Sequence, residues 1–185
     1  MTLTFRDDDL NILNSIRYHI ENYQYTIGEV TTTLKQRFNM VTTGNAPQIA
    51  ISYPQNLWKV KPPHLAIDFV TSGGRVSWMW NLNIKRSPVI IYGFCGGLEG
   101  GEANKKQMLQ IKSNLHDIFD QPKGGQNVID LYDFSTGSSG SRTKLDSLEI
   151  SEVRSRLINA GADDTLEVSK YRFAVEFTVG LLKSQ

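Results

Sequence analysis

Apolar and polar residues alternate strictly along residues 171–182. The odd positions are all apolar and comprise Tyr171, Phe173, Val175, Phe177, Val179 and Leu181. The even positions are Arg172, Ala174, Glu176, Thr178 and Gly180. Because side chains of a β-strand point alternately to its two faces, this period predicts a long strand with one buried face. The opposite face, which carries Arg172 and Glu176, is predicted to meet water or a partner.

Two stretches carry apolar residues at the spacing of an α-helix. The first is predicted at residues 8–23, where an acidic start suits the positive end of the helix dipole. The second follows a glycine-rich connection and ends before Pro122. Its apolar face consists of Met108, Ile111, Leu115, Ile118 and Phe119. Residues 27–38 fit both a strand and a helix, so their structure stays open at this point.

Further alternation predicts shorter strands and one projecting hairpin. Residues 49–53 and 65–69 alternate over short lengths. Residues 76–84 also alternate, whereas residues 88–95 are continuously apolar, as expected for a strand that is buried on both faces. Residues 85–87 separate these two segments and are predicted to connect the arms of the hairpin.

Residues 128–134 and 148–158 are strand candidates on either side of a predicted flexible loop at about residues 135–147. The loop begins with serine and glycine and lacks periodic apolar residues. The apolar positions of the later strand change parity, which indicates a bulge or a half-exposed edge. Together, these elements predict a single α+β domain over residues 1–185. Its sheet should be mixed and mainly antiparallel, with two main helices packed on one face.

The charge balance limits the classes of partner. The chain has 20 Lys and Arg against 19 Asp and Glu, a net charge of +1, so no overall field attracts nucleic acid or acidic lipid. The single cysteine, Cys95, cannot form an internal disulfide, and its apolar surroundings favour a buried structural thiol. No signal-peptide pattern and no membrane-spanning apolar run occurs, so we expect a soluble, cytosolic protein.

No motif for catalysis, cofactor binding or metal binding occurs. A glycine run at residues 96–101 follows a predicted strand and opens a helix, but Glu102 stands where a phosphate-binding P-loop requires lysine. Nucleophile signatures and metal-binding Cys/His spacings are absent. Asp130 and Asp133 are predicted to face opposite sides of a strand, which disfavours a carboxylate metal site. The function must therefore be inferred from the architecture and from resemblance, and no cofactor is predicted.

The remaining candidates are contacts with partners. Trp78 and Trp80 share the apolar face of a predicted strand, which favours core or subunit-interface packing over base stacking. Arg154 and Arg156 are predicted to point the same way. The full set of interface candidates is Arg75, Trp78, Trp80, Lys85, Arg86, Arg142, Lys144, Arg154, Arg156, Arg172 and Glu176.

The order of these elements resembles that of the tail-terminator, or tail-completion, proteins of long-tailed bacteriophages. It consists of an amphipathic N-terminal helix, strands with a central hairpin, a second helix and a long closing strand that begins Tyr171-Arg172-Phe173-Ala174-Val175-Glu176-Phe177. The resemblance covers residues 7–182 and is one of pattern rather than of an invariant motif. Residues 137–147 look like an additional loop.

The resemblance implies a structural virion subunit and not an enzyme. Such subunits form a homohexameric ring on the head-proximal end of the tail tube, end its polymerisation and provide the docking surface for the head. The implied partners are copies of the chain itself, the tail tube protein and a head-completion, connector or neck protein, with the tail sheath as a further candidate. DNA passes through the lumen without specific binding, and no membrane is involved. The implied location is the virion tail, after assembly in the host cytoplasm.

Alternative functions stay open at this point. A head–tail connector or neck protein fits nearly the same pattern. A single-stranded nucleic-acid-binding module using Trp58, Trp78 and Trp80 would instead show salt-dependent affinity and tryptophan quenching. A small hydrolase or nucleotide-binding enzyme is supported only by the glycine run, and Glu102 argues against it.

Overall fold

The computed structural model describes residues 8–42, 47–51, 62–72, 75–76, 79–81, 84–96, 101–120, 127–135, 142–158 and 171–182. The helices are α1 (Asp8–Asn22), α2 (Leu34–Arg37) and α3 (Gly101–Phe119). The strands are β1 (Gln24–Ile27), β2 (Val30–Thr33), β3 (Ile49–Ile51), β4 (His64–Phe69), β5 (Thr71–Ser72), β6 (Arg75–Val76), β7 (Met79–Asn81), β8 (Ile84–Cys95), β9 (Val128–Tyr132), β10 (Lys144–Ile158) and β11 (Tyr171–Leu182).

The main sheet has seven strands, six of which lie in the order β3-β4-β8-β11-β10-β9, while β7 pairs with the beginning of β8. The pairing of β3 with β4 is parallel, and the other pairings are antiparallel. Strands β8 and β11 pair along the whole 12 residues of each, and β10, with 15 residues, lies on the other side of β11. The predicted α+β class with a mixed, mainly antiparallel sheet is confirmed.

Helices α1 and α3 cover one face of this sheet, as predicted. The ring of Phe119 on α3 stacks on Phe177 of β11 at 4.4 Å, and His19 of α1 lies 6.0 Å from the same Phe119 ring. The alternation of β11 is confirmed, because Phe173 and Val175 are fully buried beneath the helices. Phe173 also occupies the space above Gly93 of β8, where a Cβ atom would lie only 2.0 Å from the ring.

The segment that the sequence left open contains both kinds of structure. Strands β1 and β2 form a separate hairpin, and Gly28 adopts a φ of +62° in its two-residue turn. Thr33 then starts α2 with a capping box, in which the Thr33 hydroxyl and the Gln36 side chain each bond the backbone of the other residue. Ile27 and Val30 flank the turn and are exposed.

The predicted hairpin at residues 76–95 requires correction. Lys85 and Arg86 do not form its connection, because both lie within β8 and pair with β7 as well as with β11. Val76 belongs to β6, which pairs with β5 and not with β8. The predicted burial of β8 on both faces is only partly right, since Tyr92 and Phe94 are half-buried. The pairing of these residues with β11 was not visible in the sequence, because β11 lies far away along the chain.

The start of β10 differs from the prediction, whereas the bulge predicted within it is present. It begins at Lys144, inside the loop predicted at residues 135–147, of which residues 136–141 lie outside the described part of the chain. The predicted bulge is confirmed, because the register with β11 shifts between Ser151 and Arg154. Glu152 within the bulge has a φ of 56°, in the left-handed region.

Candidate partner interface

Five of the predicted interface residues lie on the sheet face opposite the helices. Arg86 comes from β8, Arg154 and Arg156 come from β10, and Arg172 and Glu176 come from β11. Their register places them on the same side of three adjacent strands, which form one continuous surface. We call this surface the charged face, and define it by Arg86, Glu149, Glu152, Arg154, Arg156, Arg172 and Glu176.

An ion pair crosses the charged face above a glycine. Arg86 and Glu149 are both register partners of Gly180, one on each side of β11. Because Gly180 has no side chain, the Arg86 guanidinium and the Glu149 carboxylate meet above it at 3.4 Å. This contact connects β8 to β10 across the intervening strand.

A second pair joins β10 to β11 near the bulge. Nε of Arg156 donates to Oε1 of Glu176 at 2.9 Å, and the same carboxylate oxygen lies 2.8 Å from NH2 of Arg156. The Thr178 hydroxyl donates to Glu152 at 3.2 Å. Arg154 is the register partner of Glu176 but forms no ion pair within the described part of the chain. Exposed pairs of this kind contribute about 0.2–1 kcal/mol each, so they can exchange partners at low cost.

A row of stacked side chains crosses one end of the same face. His64, Phe94 and Arg172 are register partners on β4, β8 and β11. The rings of His64 and Phe94 stack at 4.7 Å with 19° between their planes, and the Arg172 guanidinium lies 5.8 Å from the centre of the Phe94 ring. A cation over a ring face is attracted by its quadrupole, so the row combines apolar and charged contacts.

Two further candidates, Arg142 and Lys144, lie elsewhere, beside a cleft of about 650 Å³ between α1 and β9. The Arg142 guanidinium is stacked between two rings, 4.5 Å from the centre of Tyr18 and 4.4 Å from that of Phe134. Lys144 Nζ lies 2.7 Å from Oδ1 of Asp130. Both cations therefore have partners within their own chain and are not part of the charged face.

Two titratable groups of this cleft, Tyr132 and Lys144, are held in their usual charge states. The Tyr132 hydroxyl donates to Oδ2 of Asp130 at 3.2 Å, and its pKa is raised by burial first and by the Asp130 charge second. The hydrogen bond to Asp130 raises the pKa of Lys144. Tyr132 thus stays neutral and Lys144 stays charged at neutral pH, which suits a structural contact rather than proton transfer near pH 7.

The sequence analysis missed the role of two polar residues on α1. The Ser15 hydroxyl accepts a hydrogen bond from the N–H of Tyr132 at 2.9 Å, and Oδ1 of Asn11 accepts one from the N–H of Phe134 at 2.9 Å. Asn11 and Ser15 are 5% and 1% exposed. Helix α1 therefore caps backbone donors along the outer edge of β9. The available signal was a pair of polar residues four apart among the apolar positions of a helix.

For the other interface candidates, the structure gives a position in a strand at most. Arg75, Trp80 and Lys85 are placed at strand positions in β6, β7 and β8, and Trp78 lies outside the described residues.

The side chains of Asp133 and Cys95, which were considered for chemistry, have surroundings that favour a structural role. Oδ1 of Asp133 accepts hydrogen bonds from the N–H and the hydroxyl of Ser135, which lower the pKa of Asp133. Burial raises the pKa of Cys95 to about 12, so its thiol is protonated and unreactive at neutral pH. The described residues include no group of acidic, histidine or cysteine side chains that could hold a metal ion.

No family model matches this sequence, and no curated protein matches it. Among the helices that the structure describes, none has the length and apolar character needed to cross a membrane.

Proposed function

We propose that this protein is a structural subunit of a bacteriophage tail, which forms a ring on the head-proximal end of the tail tube, ends tube polymerisation and docks the head. The observation that carries the proposal is the charged face, where three long strands present both arginines and glutamates on one side of the sheet. A surface with both signs is complementary to a rotated copy of itself or to a mixed partner surface. The weak exposed pairs on it can be exchanged for contacts between subunits.

Two features of the whole chain support this proposal. The order of its elements resembles that of the tail-terminator family. The described residues have the α+β architecture that this resemblance implies. The net charge of +1 suits a ring whose lumen lets DNA pass without gripping the phosphate backbone. The proposed partners are copies of the chain, the tail tube protein, a head-completion, connector or neck protein, and the tail sheath, and the proposed location is the virion.

The nucleic-acid alternative receives less support from the charged face. Arg86 and Arg156 already pair with Glu149 and Glu176, and Glu152 adds a third carboxylate to the surface. Carboxylates repel phosphates and offset the counterion release that drives binding to nucleic acid. We therefore prefer protein partners.

The experiment is the solution mass of the purified protein by light scattering over a concentration range, alone and with tail tubes, followed by negative-stain imaging. We expect a ring of about six subunits, alone or on tube ends. A chain that stays monomeric in both conditions and leaves tube length unlimited would contradict the proposal. Salt-dependent oligonucleotide binding by such a monomer would favour the nucleic-acid module.

Charge reversal tests which surface makes the ring. Replacing Lys85 and Arg86 by glutamate should leave the domain folded but abolish ring formation and tail joining. The double variant Arg86→Glu with Glu149→Arg restores the ion pair inside the chain, and we expect it to fold normally and still fail to join. Lys105→Glu, on the exposed side of α3, is the matched control and should join normally. Normal joining by both variants that replace Arg86 would show that the charged face makes no essential contact through this residue.

A further inference from the structure

One edge of the main sheet is occupied over only half its length. Strand β9 pairs with residues 144–149 of β10, and the N–H of Ile150 donates to the carbonyl of Asn127 at 2.7 Å. Beyond this bond, residues 154–158 of β10 pair with β11, and no other described strand pairs with them. Among the residues that the structure describes, the second half of β10 is therefore a sheet edge.

The bulge sets which backbone groups face this edge. The N–H of Ile150 points toward β9. From there along the strand, the backbone groups of successive residues therefore point alternately toward β11 and toward the β9 side. The bulge adds one residue before Arg154 and reverses the alternation. Arg154 and Arg156 consequently direct their backbone groups toward β11, while Ser155 and Leu157 direct theirs away from it. An outward row of N–H and C=O groups is a template for pairing with another strand.

The two sides of this edge differ in chemistry. Arg154 and Arg156 are exposed on the charged face. Leu157 is the register partner of the buried Phe173 and points to the helix side, yet 49% of it is exposed. A strand added here would meet Arg154 and the Glu176-paired Arg156 on one side. On the other side it would meet Leu157 and Ser155, whose hydroxyl accepts a hydrogen bond from Nζ of Lys112 at 3.3 Å. The side chains of the added strand would therefore have to alternate in the same sense.

A second copy of this edge is a poor occupant. Antiparallel self-pairing centred on Ser155 would place Arg154 of each copy opposite Arg156 of the other. Like charges directly opposite each other on adjacent strands are destabilising. Charge complementarity instead favours a strand with carboxylates at the positions that face Arg154 and Arg156.

We propose that residues 154–158 are a strand-addition site for an extended segment of another protein, with acidic residues at alternate positions against the two arginines and apolar residues between them against Leu157. Backbone hydrogen bonds to Ser155 and Leu157 supply affinity, and the alternating side chains supply selectivity. This inference goes beyond the proposed function, because it defines the chemistry of a partner and holds whether or not the protein caps a tail tube.

The test uses fluorescein-labelled hexapeptides and fluorescence anisotropy with the full chain. The first probe alternates glutamate and valine, the second has the same composition as a block of three glutamates followed by three valines, and the third alternates lysine and valine. We expect the first to bind, and the other two to bind at least about fivefold more weakly, which corresponds to the loss of one or two cross-strand contacts. Absence of binding by the first probe at about 1 mM, or equal binding by the first two, would overturn the proposal.

Variants locate the bound peptide. Arg154→Glu removes a cation that has no ion-pair partner in the described chain, and should weaken the first probe by about fivefold or more while improving the lysine probe. Leu157→Asp should also weaken it. Leu145→Asp is the matched control, because Leu145 is equally exposed at 49% but lies in the half of β10 that β9 already occupies.

The outcomes separate this proposal from the tail function. Equal affinities in Arg154→Glu and the unchanged chain, or equal losses in Leu157→Asp and Leu145→Asp, would overturn strand addition here. If Leu157→Asp, which lies on the helix side and not on the charged face, instead abolished self-association in light scattering, the edge would bind a second copy, and the proposal would be wrong. A chain that fails to cap tubes but binds the alternating acidic peptide through this edge would lose the proposed function and keep this site.

Discussion

The two halves of one edge of the main sheet differ in what surrounds their outward-facing backbone groups. Along β9, the buried side chains of Asn11 and Ser15 accept hydrogen bonds from outward-facing backbone N–H groups. Along residues 154–158 of β10, the same kind of backbone groups lie beside exposed arginines and a half-exposed leucine. A helix closes the first half, whereas the described residues protect the second half by charge and by a bulge.

The comparison shows that hydrogen bonds to the backbone groups, more than packing of apolar side chains, distinguish a closed sheet edge from one that can pair with another strand. A buried backbone donor without a partner costs about 1–3 kcal/mol, so the contacts of α1 with β9 are expensive to remove. Exposed ion pairs on the charged face contribute about 0.2–1 kcal/mol. The closed half should therefore determine stability, and the open half should determine binding.

The largest effect is expected when the closed edge is opened. The double variant Asn11→Leu with Ser15→Val keeps side chains of similar size but leaves the N–H groups of Tyr132 and Phe134 without acceptors. We expect the free energy of unfolding to fall by about 2–5 kcal/mol, measured by urea denaturation followed by circular dichroism.

A serine on the other long helix provides the control for this variant. Ser113→Val on α3 makes the same change of side chain at an exposed helical position. It should cost only the lower helix propensity of valine, within about 0.5 kcal/mol. Equal losses for Ser15→Val and Ser113→Val would show that the hydroxyl of Ser15 does not close the edge.

The sequence predicted the elements whose signals are local. The strict alternation at residues 171–182 identified β11, and the change of parity at residues 148–158 identified the bulge of β10. Both signals lie within a single strand, and the pairing of that strand with its neighbours preserves them. Helix α1 was also predicted nearly to its observed ends.

The features that the sequence did not predict depend on residues far apart in the chain. Ser15 and Tyr132 are separated by 117 positions, so nothing near either residue shows that one caps the other. The sequence predicted Arg86 in a hairpin connection, because it lies between an alternating segment and a continuously apolar one. Its partner Glu149 lies 63 residues away and reaches it only because Gly180 separates them without a side chain.

An intermediate effect is expected from proline substitutions on the open half. Arg156→Pro removes an N–H that points toward β11, and should lower the free energy of unfolding by about 1–3 kcal/mol. Leu157→Pro removes an N–H that points to the open side, so we expect a smaller loss, under about 1 kcal/mol. Urea denaturation of both variants tests the orientation that the bulge imposes. The opposite order of stabilities would mean that the alternation after Glu152 is reversed.

The smallest effect concerns the exposed ion pair of the closed half. The pKa of Lys144 is raised above its usual 10.5 by the bond to Asp130, so its contribution to stability is complete below pH 10.5 and is lost as pH rises through the raised value. The pKa of Tyr132 is also raised above its usual value of 10.0. Its contribution to stability is therefore likewise complete below pH 10.0 and is lost as the pH rises through the raised value. Asp130→Asn should therefore be slightly less stable than the unchanged chain near neutral pH, and this difference should shrink at alkaline pH.

Unfolding in urea at about pH 7, pH 9 and pH 11 measures this difference. Asp117→Asn, an exposed carboxylate on α3, removes the same charge without breaking a described hydrogen bond, and its difference from the unchanged chain should not follow the titration of Lys144. A difference for Asp130→Asn that stayed constant across this range would place its origin outside the pair with Lys144 and Tyr132. A small effect that disappears at alkaline pH would instead confirm that the closed half depends on the buried acceptors of α1 and very little on its surface charges.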